Sequence, residues 1–259
     1  MKKRILAALL VFVALLTGCS RKETTGQWPS QKIEIDVCYT AGGTADTVAR
    51  QLSALMSQQL STTFNLVNVT GGSGSIAGQQ VYAAAHDGYT WLGDVAHTVS
   101  GWRTLGYADL GWEDFYGFYA ASSPYVLFVS GNSPYQTAQQ LFDAMRGDPS
   151  MKWGNAGLGS INQLTGSLML EKLGLKGNSV PYDGGRSAAI KVVAGEVTWS
   201  WCGLSDILDL AQSGDIRILG ICDSSPREID CAKGNYTVPS LLDDYPELSD
   251  LQGLLYWGF

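Results

Sequence analysis

Between residues 32 and 222, runs that alternate apolar and polar positions take turns with runs of helical period, and the joints between them are rich in glycine. Residues 33–39 alternate like a strand, and residues 44–61 then place Val48, Ala49, Leu52, Leu55, Met56 and Leu60 on one helical face. Residues 64–69, 75–85 and 89–93 continue as strand, helix and strand, with Asp87-Gly88 turning the chain before the third strand. A βαβαβ order implies a parallel sheet with right-handed crossovers, because parallel neighbours cannot be joined by a tight hairpin. The rhythm lapses over residues 100–122, where Trp102, Trp112 and Tyr116 stand among glycines. It resumes with strands at 125–130, 152–155, 178–180, 197–202 and 216–222, separated by helices at 137–146, 161–173, 187–194 and 205–212. The expectation is an α/β protein of two lobes, each a mainly parallel sheet flanked by helices, with a cleft between them. Residues 32–105 with 223–259 are expected to form lobe 1 and residues 106–222 lobe 2, hinged near 100–122 and 222–235.

At 259 residues with 45% apolar content and 16% charged, the chain is too apolar for disorder. A net charge of −7 argues against a nucleic-acid partner, which would need a basic footprint. Lys2, Lys3 and Arg4 precede an apolar run over residues 5–16, too short to span a bilayer, and small residues follow it. Leu16-Thr17-Gly18-Cys19 resembles the bacterial lipoprotein signature, in which the peptide is cut before the cysteine and the thiol is lipidated. Residues 1–18 therefore read as a lipoprotein signal peptide and 19–31 as a tether, holding an extracytoplasmic domain to a membrane surface through Cys19.

Outside the cytoplasm cysteines can pair, and Cys222 and Cys231, flanking a Ser-Ser-Pro turn, are the expected disulfide. No metal site is expected. There is no C-x-x-C, and His86 and His97 lack partners at ligand spacing.

Four segments share one design, a glycine-rich turn between strand and helix: residues 39–46 (YTAGGTAD), 70–75 (TGGSGS), 154–160 (GNAGLGS) and 180–185 (VPYDGG). In an open parallel sheet such turns lie at the carboxyl ends of the strands, where ligands bind. Each helix that follows aims unpaired N–H groups and the positive end of its dipole at the same place. Thr44 and Ser160 sit where N-caps belong, and Ser160 with Gln163 makes a capping box. Together the turns predict a cleft of amide donors and hydroxyls that holds a small carboxylate inside an acidic protein.

Residues 72–77 (GSGSIA) also fit the dinucleotide pattern G-x-G-x-x-A, with Asp94 where a ribose-binding acid belongs. The pattern follows the second strand rather than the first, and an exported protein leaves the NAD pool behind, so no cofactor is expected. No G-x-S-x-G elbow or catalytic carboxylate pair is present, and Asp46 with Arg50 reads first as an i,i+4 ion pair. His97, just past the third strand, is placed to donate to a ligand.

These turns, in this order, carry a family resemblance. Residues 33–50 (IEIDVCYTAGGTADTVAR), 67–90 (VNVTGGSGSIAGQQVYAAAHDGYT), 123–141, 153–164, 180–195 and 214–220 resemble an extracytoplasmic solute receptor of the tripartite tricarboxylate transporter group, the Bug or TctC family. The resemblance implies a two-lobed fold like that of type II periplasmic binding proteins, closing on a small organic acid that membrane permease subunits receive. It implies a monomer with no enzymatic activity. Carried over residue by residue, the ligand contacts are Tyr39, Ala41, Gly42, Gly43, Thr44 and Asp46 in the first turn and Gly72, Ser73 and Gly74 in the second. The second lobe contributes Gly157, Gly159, Ser160, Tyr182, Gly184 and Gly185. Cys38 and Tyr39 replace a Pro-Phe-like context, and Asp183 stands where a lysine is common. Family members run on for roughly sixty further residues, so lobe 1 is expected to lack its C-terminal part. A secreted enzyme acting on a small carboxylate, through His97, and a sensory receptor for a membrane kinase are the alternative readings.

Overall fold

Strand β1 (Ile33–Val37) carries Ile33, Ile35 and Val37, all fully buried, and such a strand needs neighbours on both edges. A computed structural model describes residues 28–95, 98–231, 234–253 and 256–259, and residues 31–259 make one unit. Helix α1 (Thr44–Leu60), β2 (Phe64–Asn68), a 3₁₀ turn (Gly72–Gly74), α2 (Ser75–Ala83) and β3 (Thr90–Val95) follow β1. β1 pairs in parallel with both β2 and β3, as the βαβαβ reading requires.

The next segment corrects the expected hinge. Residues 100–122 hold helix α3 (Thr98–Leu105), a 3₁₀ turn (Trp112–Asp114) and strand β4 (Tyr119–Ser122), all on the lobe 1 side. Trp102 on α3 is fully buried, and its Nε1 donates to the Ser73 carbonyl at 3.0 Å. The tryptophan thus fixes the second glycine turn in place.

Lobe 2 is built from β5 (Tyr125–Ser130), α4 (Ala138–Gly147), β6 (Lys152–Asn155), α5 (Ile161–Lys172), β7 (Asn178–Pro181), α6 (Gly185–Val193), β8 (Trp199–Gly203), α7 (Leu204–Ser213) and β9 (Ile216–Cys222). Its sheet runs β7-β6-β8-β5-β9, parallel among β7, β6 and β8, with β5 antiparallel to both β8 and β9. The period of two along β5 sorts its side chains between two cores: Tyr125, Leu127 and Val129 enter one, Val126 and Phe128 the other. Opposed in register on β6 and β8, Trp153 and Trp199 stack at 5.1 Å and 11°; Tyr125 stacks on Trp201 at 5.2 Å and 12°. Helix α5 covers these rings, and Trp201 Nε1 donates to Thr165 Oγ1 at 3.1 Å.

After β9 come β10 (Arg227–Ile229) paired antiparallel with β11 (Tyr236–Val238), α8 (Leu241–Asp244), a 3₁₀ stretch (Pro246–Leu251) and β12 (Tyr256–Gly258). Residues 223–231 and 234–251 pack on lobe 2, contrary to the expected assignment to lobe 1: Ser240 bridges Ile221, and Lys172 on α5 pairs with Asp250 at 2.8 Å. Among the described residues after β9, strand β12 returns to lobe 1, inserting between β3 and β4 and pairing antiparallel with each in the sheet β2-β1-β3-β12-β4. The chain therefore crosses between lobes at residues 123–124 and again between the 3₁₀ stretch and β12.

The expected Cys222–Cys231 disulfide is also corrected. Both thiols are free; Cys222 Sγ faces the Leu248 carbonyl at 3.7 Å and Cys231 Sγ the Ala211 carbonyl at 3.5 Å, so each has packed into a different part of lobe 2. Cys19, with the whole of residues 1–27, lies outside the described residues, as does His97. Among the described residues no helix is long and apolar enough to cross a membrane, and no group of side chains is arranged to hold a metal ion.

Candidate functional site

At the carboxyl end of β1 the chain turns through Gly42, whose φ of +77° suits a residue without Cβ, and enters α1. Gly43 is the N-cap, and Thr44, expected there, is instead the first helical residue. The reason is tertiary. The Thr44 N–H donates to Asp206 Oδ1 at 2.6 Å and its hydroxyl lies 2.7 Å from Ser205 Oγ, both in the first turn of α7 across the cleft.

Asp46 turns back on its own loop. It accepts the Gly42 N–H at 3.0 Å, Arg50 at 2.8 Å and Asn68 Nδ2 at 3.0 Å. Burial raises its pKa, but the bonds from Arg50, Gly42 and Asn68 outweigh it and hold the carboxyl below its ordinary value. Asn68 Nδ2 also donates to the Tyr39 carbonyl at 2.9 Å, so one buried carboxylate and one amide rivet the first turn to β2.

The four turns meet along one interface. Ser187 Oγ donates to Thr40 Oγ1 at 3.3 Å, and a Cβ on Gly184 would lie 2.8 Å from Thr40 Oγ1, which sets the fourth turn against the first. Ser73 Oγ donates to the Leu158 carbonyl at 2.8 Å, Tyr107 OH donates to the same oxygen at 3.2 Å, and a Cβ on Gly157 (φ +118°) would stand 3.0 Å from Ser73 Oγ. That sets the third turn against the second. Ser160 caps α5 as expected, accepting the Gln163 N–H at 3.2 Å, while Gln163 Oε1 reaches back to Gly159 N–H rather than to Ser160.

Tyr39, Thr40, Gly43, Thr44, Ala156, Asn162, Gly185, Asp206 and Trp257 enclose a cavity of about 20 Å³, room for about one water. No cationic side chain lines it. Ala41, Gly42 and Gly72 are exposed and stand off this cavity; Tyr182 packs against the second core of lobe 2, and Gly74 lies against Cys38. A larger cavity of about 500 Å³ lies elsewhere on lobe 2, between the start of α4, β9 and the β10–β11 pair, and none of the four turns lines it.

Three helix starts converge on Asp206, which pattern reading missed. Oδ1 takes the α1 amide, Oδ2 lies where a Cβ on Gly185 at the start of α6 would approach to 2.5 Å, and the Gly203 N–H at the head of α7 supports the same carboxylate. Burial pushes its pKa above the ordinary value, and the bonds from Thr44 and Gly203 pull the other way. The available signal was a fifth strand-to-helix joint, residues 199–206, with an acid in its first turn but only one glycine.

Residues 48–229 match the family described as Tripartite tricarboxylate transporter family receptor, TctC. A relative from Pseudomonas sp. (strain P51), the UPF0065 protein of the tcbD-tcbE intergenic region, is 29% identical over 201 residues, 76% of this chain. The chain spans 59% of that relative's length. The structure of R. palustris Rpa4515 with adipate superposes with a TM-score of 0.76 at 24% identity, covering 89% of this chain and 76% of the other. MatC from Rhodopseudomonas palustris, with bound malate, superposes with a TM-score of 0.70 at 22% identity, covering 86% and 83%. These likenesses cover 89% and 86% of the chain, so the two-lobed α/β fold is the one it shares with these solved structures. With the family match running from α1 to β10, the chain belongs to the tripartite tricarboxylate transporter receptor family.

Proposed function

We propose that this chain is an extracytoplasmic solute-binding receptor that captures a small organic acid between its lobes and passes it to membrane permease subunits of the tripartite tricarboxylate type. The observation that carries the reading is the interlobe seat: helix N-termini from both lobes point at one carboxylate position, in a cavity without cationic side chains. A carboxylate there is held by oriented backbone dipoles, which bind without side-chain charge and without chemistry on the ligand. Adipate and malate in two structural neighbours support an organic acid as the ligand class. A cavity of about 20 Å³ fits no such acid, so uptake proceeds by the lobes opening about the crossing at 123–124 and reclosing on the ligand. Cys19, acylated after removal of residues 1–18, tethers the receptor at the membrane surface, and the receptor works as a monomer without cofactor.

The test is a thermal-shift screen of residues 20–259 against organic acids, malate and adipate included, followed by calorimetry on each hit. Binding to the closed form raises Tm with ligand concentration and leaves the acid unchanged. A chain that is stabilised by none of the acids, or that converts one to product, is not this receptor.

A further inference from the structure

Two helices pointing their positive ends at each other across a cleft repel unless an anion lies between them. In this protein α1 and α7 face each other in that way, α6 starts beside them, and the anion is the chain's own Asp206. The carboxylate is buried, and it takes the Thr44 amide that the cleft would otherwise offer to a ligand. Gly185 is bare where a Cβ would come within 2.5 Å of Oδ2, so this glycine makes space for the carboxylate. Arg186 acts on this carboxylate through space while its hydrogen bonds go elsewhere: Nη1 donates to the Asp206 main-chain carbonyl at 3.2 Å, and the guanidinium pairs with the Asp209 carboxylate.

We propose that Asp206 is the affinity- and specificity-determining residue of the cleft, a tethered competitor whose carboxylate occupies the seat that the ligand's carboxylate takes. The proposal rests on the receptor reading above. A free acid enters by displacing Asp206 from the Thr44 N–H. A second negative charge cannot share this buried cavity of about 20 Å³ with the first, so an acid binds only as far as it outcompetes a group already held at high local concentration. Weakly held acids are thereby excluded, and those with additional contacts to the lobes are admitted.

The test compares wild type, Asp206→Ala and Asp206→Asn by thermal shift and calorimetry against acetate, malate and adipate, with chloride at matched ionic strength as control. Expected is a saturable response to acetate in Asp206→Ala that wild type lacks, and binding of malate or adipate tighter by about ten- to a hundredfold, the range of a charge-assisted hydrogen bond. Asp206→Asn, which keeps the shape and loses the charge, falls between the two, and it decides the matter if Asp206→Ala does not fold. Acid binding confined to the variants supports the proposal. If wild type binds an acid and neither variant binds it more tightly, Asp206 is no competitor and the receptor reading stands. If no acid stabilises wild type or either folded variant, the receptor reading fails and the proposal with it.

Discussion

Replacing Gly166 by alanine sets two effects against each other. Gly166 lies inside α5, where glycine costs up to about 1 kcal/mol relative to alanine, so propensity alone favours the substitution. The added methyl, however, would stand 2.7 Å from both Cη2 and Cζ3 of Trp153. That ring has nowhere to retreat. It is stacked on Trp199 at 5.1 Å, and at its other edge a Cβ on Gly177 would be only 3.2 Å from Cδ1. Overpacking a rigid core costs about 1–3 kcal/mol, so at this clash distance the overpacking wins and Gly166→Ala loses up to about 2 kcal/mol net. For a domain of this size that lowers Tm by up to about 4–8 °C. Gly147, the last residue of α4, is the control: a Cβ there meets nothing within 4 Å, and Gly147→Ala gains about 0.5–1 kcal/mol. Thermal unfolding followed by circular dichroism reads both. A Gly166→Ala protein at or above the wild-type Tm would show that the Trp153 site yields, and the packing argument would be wrong.

Asp46→Asn weakens the bonds to Gly42 and Arg50; because Arg50 is half exposed, the ion pair itself is discounted, and the expected loss is about 1–2 kcal/mol, read as a shift in urea midpoint at constant m. The folded-state pKa of Asp46 is held below the ordinary 3.8, so its stabilisation is present above that value and disappears as pH falls through the folded pKa. A gap between wild type and variant that stays constant down to pH 2 contradicts this account. In the native protein a thiol reagent modifies half-buried Cys231 quickly and Cys222 only on unfolding, since burial pushes the Cys222 thiol up to about 12. Cys231→Ser then removes one fast-reacting thiol, and mass spectrometry showing residues 222 and 231 oxidised together would refute it.

Much of this architecture is legible in the order of periodicities. The strands Tyr125–Ser130, Lys152–Asn155 and Ile216–Cys222 end where the pattern ends, because apolar runs bounded by glycine, proline or aspartate have one sensible place to stop. β4 and β12 escape such reading. Tyr119–Ser122 is largely exposed, with no alternation, and becomes a strand only because β12 arrives beside it from far along the chain. The same limit hides Asp206. Locally it is an ordinary acid in a helix's first turn; its meaning comes from an amide 162 positions away. Thr44 looks like a cap for the same reason, its hydroxyl being drawn across the cleft to Ser205. Patterns within a segment report what the segment does alone, and the cleft is made of what segments do to each other.

Strand β12 has a consequence for the order of assembly. Lobe 1 begins with β1, yet its sheet keeps an open seam between β3 and β4 until residues 256–258 arrive to fill it, clasped by paired Phe118–Phe259 amide and carbonyl bonds of 3.0 and 3.1 Å. During synthesis, therefore, β3 and β4 wait for their shared neighbour until residues 256–258 have emerged, whereas the tryptophans stacked between β6 and β8 can meet more than fifty residues earlier.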